Sequence, residues 1–226
     1  LISGLINDGD CIQTGIGAVP ASIFSNLGNR SDLGLHGGLM DDGVMRLIEA
    51  GNLTGVRKKI DQSEHVLGMA LGSENMLDWL AHSKKAGSVS FRGADYTHDA
   101  SVISQLDNFV SINSAIEVDL MGQVNSEVVG GRQVSGTGGS VDFMRAAKMS
   151  KGGRSIVAMS ATARSGSVSR IVPRVDVVTA LRTDVDIVVT EYGVAPLKDV
   201  PLSARAERLA AIAHPSFRDE LSSAIR

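Results

Sequence analysis

The chain is poor in cysteine, aromatic residues and charge of either sign in excess. It has one Cys, five Phe, two Tyr and one Trp among 226 residues. A single Cys excludes a disulfide framework and any cysteine-based metal cluster. HExxH and CxxC spacings are absent, so no metal set is read. No apolar stretch approaches the roughly 20 residues needed to span a membrane. With 22 Lys+Arg against 25 Asp+Glu, the net charge of −3 gives no basic field, and nucleic acid is not expected as a partner. Neither a signal-peptide pattern nor a transit-peptide composition is read in the first residues, so a cytoplasmic location is expected. An apolar fraction of 43% and a charged fraction of 21% exclude disorder, collagen and coiled coil. No repeat, low-complexity tract or Pro/Ser-rich linker divides residues 1–226, which read as one continuous domain. What is abundant is glycine: 25 residues, well above the usual ~7%.

Short apolar runs alternate with helical patterns over the first hundred residues. Strands are expected at Cys11–Gly17, Leu33–His36, His65–Leu71 and Val89–Arg92, the third too apolar for an exposed face. Helices are expected at Val44–Ala50, stopped by Gly51, at Glu74–His82 and at Ala100–Leu106. This alternation predicts an α/β fold: an open, mostly parallel sheet flanked by helices. Later the rhythm changes. The runs Phe109–Ile112 and Ala115–Leu120 are separated by two residues, too few for a parallel crossover, which predicts an antiparallel or bent pair. Further strands are expected at 155–159, 169–172 and 184–190, and helices at 141–149, 203–213 and 217–225.

Two glycine turns stand out. Gly15-Ile-Gly17-Ala-Val19-Pro20 follows a strand and precedes a helix, where exposed N–H groups can hold an anion or oxyanion; the third Gly of a dinucleotide fingerprint is missing. Gly136-Thr-Gly138-Gly139-Ser140 has the same logic and lacks the Lys-Ser/Thr ending of a P-loop. A plain turn remains open for both. His36-Gly37-Gly38 reads as a turn closing a strand. His98 sits at a helix start where Asp99 can cap, and is either catalytic or a solvated or core residue. Glu191 follows an apolar strand, at the edge where open α/β sheets bind ligands, or serves as a cap. Cys11 reads as a small buried hydrophobe. His214-Pro215 reads as a helix end.

Taken in order, several stretches resemble the acetyl-CoA hydrolase/transferase family, which includes 4-hydroxybutyrate CoA-transferase. They are Ile12–Pro20, Asp41-Asp-Gly-Val with Glu49-Ala-Gly51, Ser111–Glu127, Ser135–Phe143, Ser169–Pro173, Val189–Gly193 and Ala213-His-Pro215. The likeness falls on that family's C-terminal half, which implies a fragment of a two-domain chain whose N-terminal domain supplies further residues, and a homo-oligomer. It also implies a CoA-transferase-like fold acting on an acyl-CoA and a carboxylate. Coenzyme A thioester is then a substrate, and no cofactor is permanently bound. In such enzymes a glutamate attacks the thioester and becomes a glutamyl-CoA thioester. The resemblance puts the oxyanion-binding amides at Val19 and Gly139, CoA-binding loops at Gly15, Gly17, Gly136 and Gly138, and a polar dyad at His98 and Glu191. The family's glutamate falls on Gly38, so the covalent route lacks its nucleophile here. Asp41 and Asp42 are not expected to replace it.

Overall fold

The computed structural model describes residues 1–15 and 22–225. The chain forms two compact units: Ile2–Ile112 with Asp142–Arg154, and Leu1, Asn113–Val141 and Ser155–Arg226.

In the first unit, β1 (Cys11–Thr14), β2 (Gly34–Met40), β3 (His65–Ala70), β4 (Val89–Phe91) and β5 (Phe109–Asn113) lie in the order β5-β1-β2-β3-β4. All four pairings are parallel, with Cys11 opposite Gly34 and Phe109, His36 opposite Val66, and His65 opposite Val89. The chain steps outward from β1 to β4, then returns to lay β5 on the other side of β1. The switch point therefore lies between the carboxyl ends of β1 and β5, the usual ligand-binding edge of such sheets. Gly15 stands there, its N–H donating to the Ile112 carbonyl at 2.8 Å.

Local sequence explains the helices. Asp41 accepts from the Val44 N–H at 3.0 Å and starts α1 (Asp42–Ala50). Gly51, at φ 79°, ends it in the left-handed conformation that glycine adopts without penalty. Val44, Met45, Leu47 and Ile48 form its buried face. Ser73 caps α2 (Glu74–His82), which buries only Met76 and so runs along the surface. Two one-turn helices, α3 (Ala94–Thr97) and α4 (Ala100–Ile103), precede β5. Helix α5 (Ser140–Met149) supplies Phe143, Ala146 and Ala147 to a core shared with Cys11, Ile103, Leu106 and Phe109.

The second unit is built from shorter pieces. Strands β6 (Glu117–Asp119), β7 (Val124–Asn125), β8 (Val128–Val129) and β9 (Arg132–Gln133) come before β10 (Arg154–Ala158). After it come β11 (Thr162–Ala163), β12 (Val168–Ser169), β13 (Ile171–Val172), β14 (Ile187–Thr190) and β15 (Gly193–Pro196). Strand β14 pairs parallel with β10 and antiparallel with β15. Helices α6 (Leu202–Ala211) and α7 (Arg218–Ser223) close the chain.

The mostly parallel sheet with flanking helices agrees with the sequence, and three local expectations are corrected. The 109–112 and 115–120 runs do not form a hairpin with each other: β6 pairs with β13 and β7 instead. Strand β3 is buried only over His65–Leu67, whereas Met69 and Leu71 are exposed, because β4 pairs with β3 no further than Leu67. Gly37-Gly38 is no turn. Strand β2 runs on to Met40, and the space over Gly37 is filled by Gln13 from β1, whose Cγ would lie 3.1 Å from a Cβ there.

Beneath this sheet lies a buried polar group. His36 and His65 are fully buried, and Lys58 reaches in to donate to the carbonyls of Leu35 at 3.3 Å and Glu64 at 2.6 Å. Burial, reinforced by the Lys58 charge, pushes both imidazoles down from 6.5 to about 4. Both therefore stay neutral in the folded protein at pH 5, while the unfolded chain takes up protons as the pH falls through 6.5. Stability is full above that value and is lost toward pH 4. Between pH 7 and pH 5 the two histidines together are expected to remove about 4 kcal/mol of unfolding free energy. Urea midpoints at the two pH values measure this, and equal midpoints would refute the neutral assignment.

Candidate active site

The first unit brings two of the sequence candidates together. Gly38 lies within β2, and a Cβ built on it would stand 3.6 Å from Cε1 and 3.7 Å from Nε2 of His98, ordinary van der Waals contact. The backbone at Gly38 is not in the left-handed region, so a larger residue fits there without strain. Its neighbour across the sheet is also a glycine: a Cβ on Gly68 would come within 3.1 Å of the Gly38 carbonyl and 3.7 Å of Thr97 Oγ1. The strip of β2 and β3 beside His98 is thus free of side chains.

The segment holding His98 is fixed at both ends. Arg92 pairs with Asp61 at 3.0 Å and lies 4.4 Å over the Tyr96 ring, while the Tyr96 hydroxyl donates to Asp61 at 2.9 Å. Asp99 accepts from the Ser101 N–H at 2.7 Å and caps α4, as its sequence position suggests. His98 and Asp99 are the two residues between the short helices. Its ring packs against Phe143 with centroids 4.4 Å apart. Nδ1 lies 2.8 Å from the buried Thr97 hydroxyl. The Thr97 carbonyl in turn accepts from His36 Nε2 at 3.1 Å, since a carbonyl can only accept.

The second unit holds the other candidates. Glu191 occupies the two-residue turn from β14 to β15, where Thr190 stands opposite Gly193. Its carboxylate accepts from the N–H of the fully buried Ala161 at 2.8 Å. Arg170, half-buried, donates from Nε to the Ile116 carbonyl at 2.8 Å and from its other end to Ala115. Burial disfavours its charged form, and the negative charges of Glu117 and Glu191 act the other way. Gly136 and Gly138 lie on an exposed loop with nothing within 4 Å of a built Cβ, so close backbone approach within the protein does not require them. Gly138 sits at φ 57°, in the left-handed region that favours glycine. Gly139 leads directly into α5. Gly17 and Val19 lie outside the described residues.

Other candidates have structural work. Cys11 is buried, and burial pushes its thiol up to about 12, too high for a nucleophile. Asp41 caps α1, and Asp42 is held by the N–H and hydroxyl of Ser73, which keep its carboxyl below the ordinary range. His214 begins rather than ends an element: its Nδ1 accepts from the Ser216 N–H at 3.2 Å and caps a single 3-10 turn, and Tyr192 packs edge-on against it. Sequence reasoning did not single out Gly68, Thr97 or Arg170. Among the described residues no three His, Cys, Asp or Glu side chains converge as a metal site, and no helix is long and apolar enough to cross a membrane.

The first unit thus sets the His98 imidazole against a glycine strip of a parallel sheet. The chain belongs to the acetyl-CoA hydrolase/transferase C-terminal domain family, whose sequence profile matches residues 72–225. It is 45% identical over 222 residues to the 4-hydroxybutyrate coenzyme A transferase of Clostridium kluyveri, covering 97% of this chain and 51% of that protein. It is 31% identical over 220 residues to the acetyl-CoA hydrolase of Yarrowia lipolytica, covering 93% and 39%. The crystal structure of RipA from Yersinia pestis superposes with a TM-score of 0.92 at 43% identity, covering 99% of this chain and 50% of that one. The chain therefore spans about half the length of the curated relatives it matches most strongly.

The Glu191 contact makes a prediction about stability apart from any chemistry. Glu191→Ala strands the buried Ala161 N–H and is expected to cost about 1–2 kcal/mol, while Glu191→Gln, which keeps an accepting oxygen, is expected to cost less. Denaturant midpoints of the two variants measure the difference.

Proposed function

We propose that the full-length protein handles a short acyl-CoA, either passing its CoA to a carboxylate or hydrolysing the thioester. The attack is made directly by water, or by the acceptor carboxylate, which gives a mixed anhydride and CoA thiolate; the thiolate then attacks the acceptor carbonyl and expels the donor carboxylate. The observation carrying this reading is the gap at Gly38, which leaves no carboxylate to form a covalent intermediate and leaves the His98 imidazole beside the vacant space. In hydrolysis, His98 accepts a proton from water as the oxygen bonds to the thioester carbon. The tetrahedral intermediate then expels the CoA thiolate, which takes up a proton, and the acid is released. Glu191 is the alternative base. The N–H groups at Val19 and Gly139 would hold the oxyanion, and the glycines at 15, 17, 136 and 138 would line the CoA path. Membership of a family whose relatives include named CoA-transferases and acetyl-CoA hydrolases supports the substrate class. An N-terminal domain of the same chain, a homo-oligomeric assembly and a cytoplasmic location belong to the same reading, with no permanently bound cofactor. The half-length match to relatives supports the second domain.

A second reading rests on the same glycine: a member that binds acyl-CoA without turning it over. Two measurements separate them. The full-length protein, given acyl-CoA donors with and without short carboxylates, is expected to release free CoA or exchange it, and complete inactivity would sink the first reading. Gly38→Glu is expected to create or raise transfer activity at least tenfold, because the Cβ position is sterically open and a carboxylate nucleophile is restored. No gain from Gly38→Glu would mean that more than the nucleophile has changed.

A further inference from the structure

We infer that Thr97 is a positioning residue that decides which ring nitrogen of His98 carries the proton, and that it leaves the Nε2 lone pair facing the gap at Gly38. The inference deepens the reading of His98 as a base and rests on it for its catalytic meaning, but the proton arrangement stands on geometry alone.

Thr97 Oγ1 has two polar neighbours, the Gly93 carbonyl at 3.3 Å and His98 Nδ1 at 2.8 Å. The hydroxyl has a single hydrogen. If it is spent on Nδ1, the Gly93 carbonyl loses that donor and one hydrogen bond forms. If it goes to Gly93, one turn back in the helix where threonine hydroxyls commonly bond, the oxygen is free to accept from Nδ1–H and both bonds form. The second arrangement satisfies more groups, and it also survives protonation of Nε2, because an imidazolium needs an acceptor at Nδ1. The first cannot coexist with an imidazolium.

The oxygen that makes this choice cannot drift. Thr97 is fully buried, its N–H donates to Gly93 at 3.0 Å, and its carbonyl is held from the far side by His36 at 3.1 Å. The fully buried His36 donates in that bond from Nε2, because the carbonyl facing it can only accept. Phe143 closes one face of the His98 ring, so the ring cannot swing to present Nδ1 to the gap without losing both contacts. Among the described residues Nε2 has no hydrogen-bonding partner, which leaves it for whatever occupies the space beside Gly38. A base oriented by a third group in this way is the general logic of nucleophile activation.

The test is nitrogen NMR of the full-length protein labelled at histidine, recorded at pH 8, with His98 assigned by its loss in His98→Gln. The wild-type signal is expected to show Nδ1 protonated and Nε2 bare. Thr97→Val, which keeps the shape and removes the hydroxyl, is expected to switch His98 to Nε2–H, the form that an unpaired imidazole prefers. Thr97→Ser is expected to restore the wild-type pattern. A wild-type spectrum with Nε2–H, a measurement needing no change at Thr97, would overturn the inference, as would an unchanged pattern in a folded Thr97→Val. Where the protein releases CoA, Thr97→Val is expected to lower kcat at least tenfold with KM within twofold, and Thr97→Ser to recover it; an unchanged kcat would refute the catalytic consequence. The spectrum answers for Thr97 even if no turnover is found, so failure of the proposed function and failure of this inference remain distinct.

Discussion

The candidate site depends on one hydrogen bond between a strand and a loop: the buried His36 of β2 donating to the Thr97 carbonyl. Strand β2 is fixed by parallel neighbours on both sides, β1 and β3. Residues 92–99 belong to a connection, and connections are free to wander unless something holds their backbone. The bond transfers the rigidity of the sheet to the residue preceding His98. It requires a hydrogen on Nε2, which the Thr97 carbonyl selects because it can only accept, while burial with Lys58 nearby keeps the ring neutral. The cost is a buried Nδ1 without a partner among the described residues, a polar atom of the kind that ordinarily weakens a core by about 1–3 kcal/mol. A fold that retains such an atom gains something else from the ring, and here that gain is the placement of Thr97.

How much of this was legible in the sequence follows the range of the interactions involved. Helices α1 and α2 could be read because their signals are local: Asp41 and Gly51 bracket one, Ser73 opens the other. The parallel layer could be read because alternation of strand and helix is itself a short-range pattern. What could not be read depended on partners distant in the chain. Gly37 looked like a turn residue, yet its reason is Gln13, which fills the space above it from the adjacent strand. The run His65–Leu71 looked fully buried, yet the partner strand β4 stops opposite Leu67 and uncovers the rest. Strand β15 was missed because it contains Pro196 and only four residues, and it exists by pairing with β14.

The site residues divide along the same line. His98, Glu191 and Gly38 were nominated by residue type and by resemblance, and the structure puts Gly38 and His98 side by side. Glu191 was read as either ligand-binding or a cap, and its bond to the Ala161 N–H shows that it serves the backbone whatever else it does. Thr97 escaped notice because a buried threonine at the end of one helical turn has no signature of its own. Its meaning comes from three groups, Gly93, His36 and His98, of which His36 is 61 residues away.

The glycines that marked the sequence from the start prove to be of different kinds. Gly51 and Gly138 are favoured by a left-handed backbone, and at Gly37 a Cβ would crowd the Gln13 side chain. Gly38 is required by neither: its backbone is ordinary, and the space in front of it is open up to the His98 ring. Its partner Gly68 is different again, because a Cβ there would press on the Gly38 carbonyl. Of the two strands bordering His98, only β2 can therefore carry a side chain at this point without moving the backbone. A nucleophile anchored in the sheet beside that imidazole has one available position. In this chain that position is Gly38, with His98 and the Thr97 contact beside it. Neither backbone conformation nor a neighbouring side chain demands a glycine there; on the function proposed above, the reacting group beside His98 arrives with the substrate or from solvent.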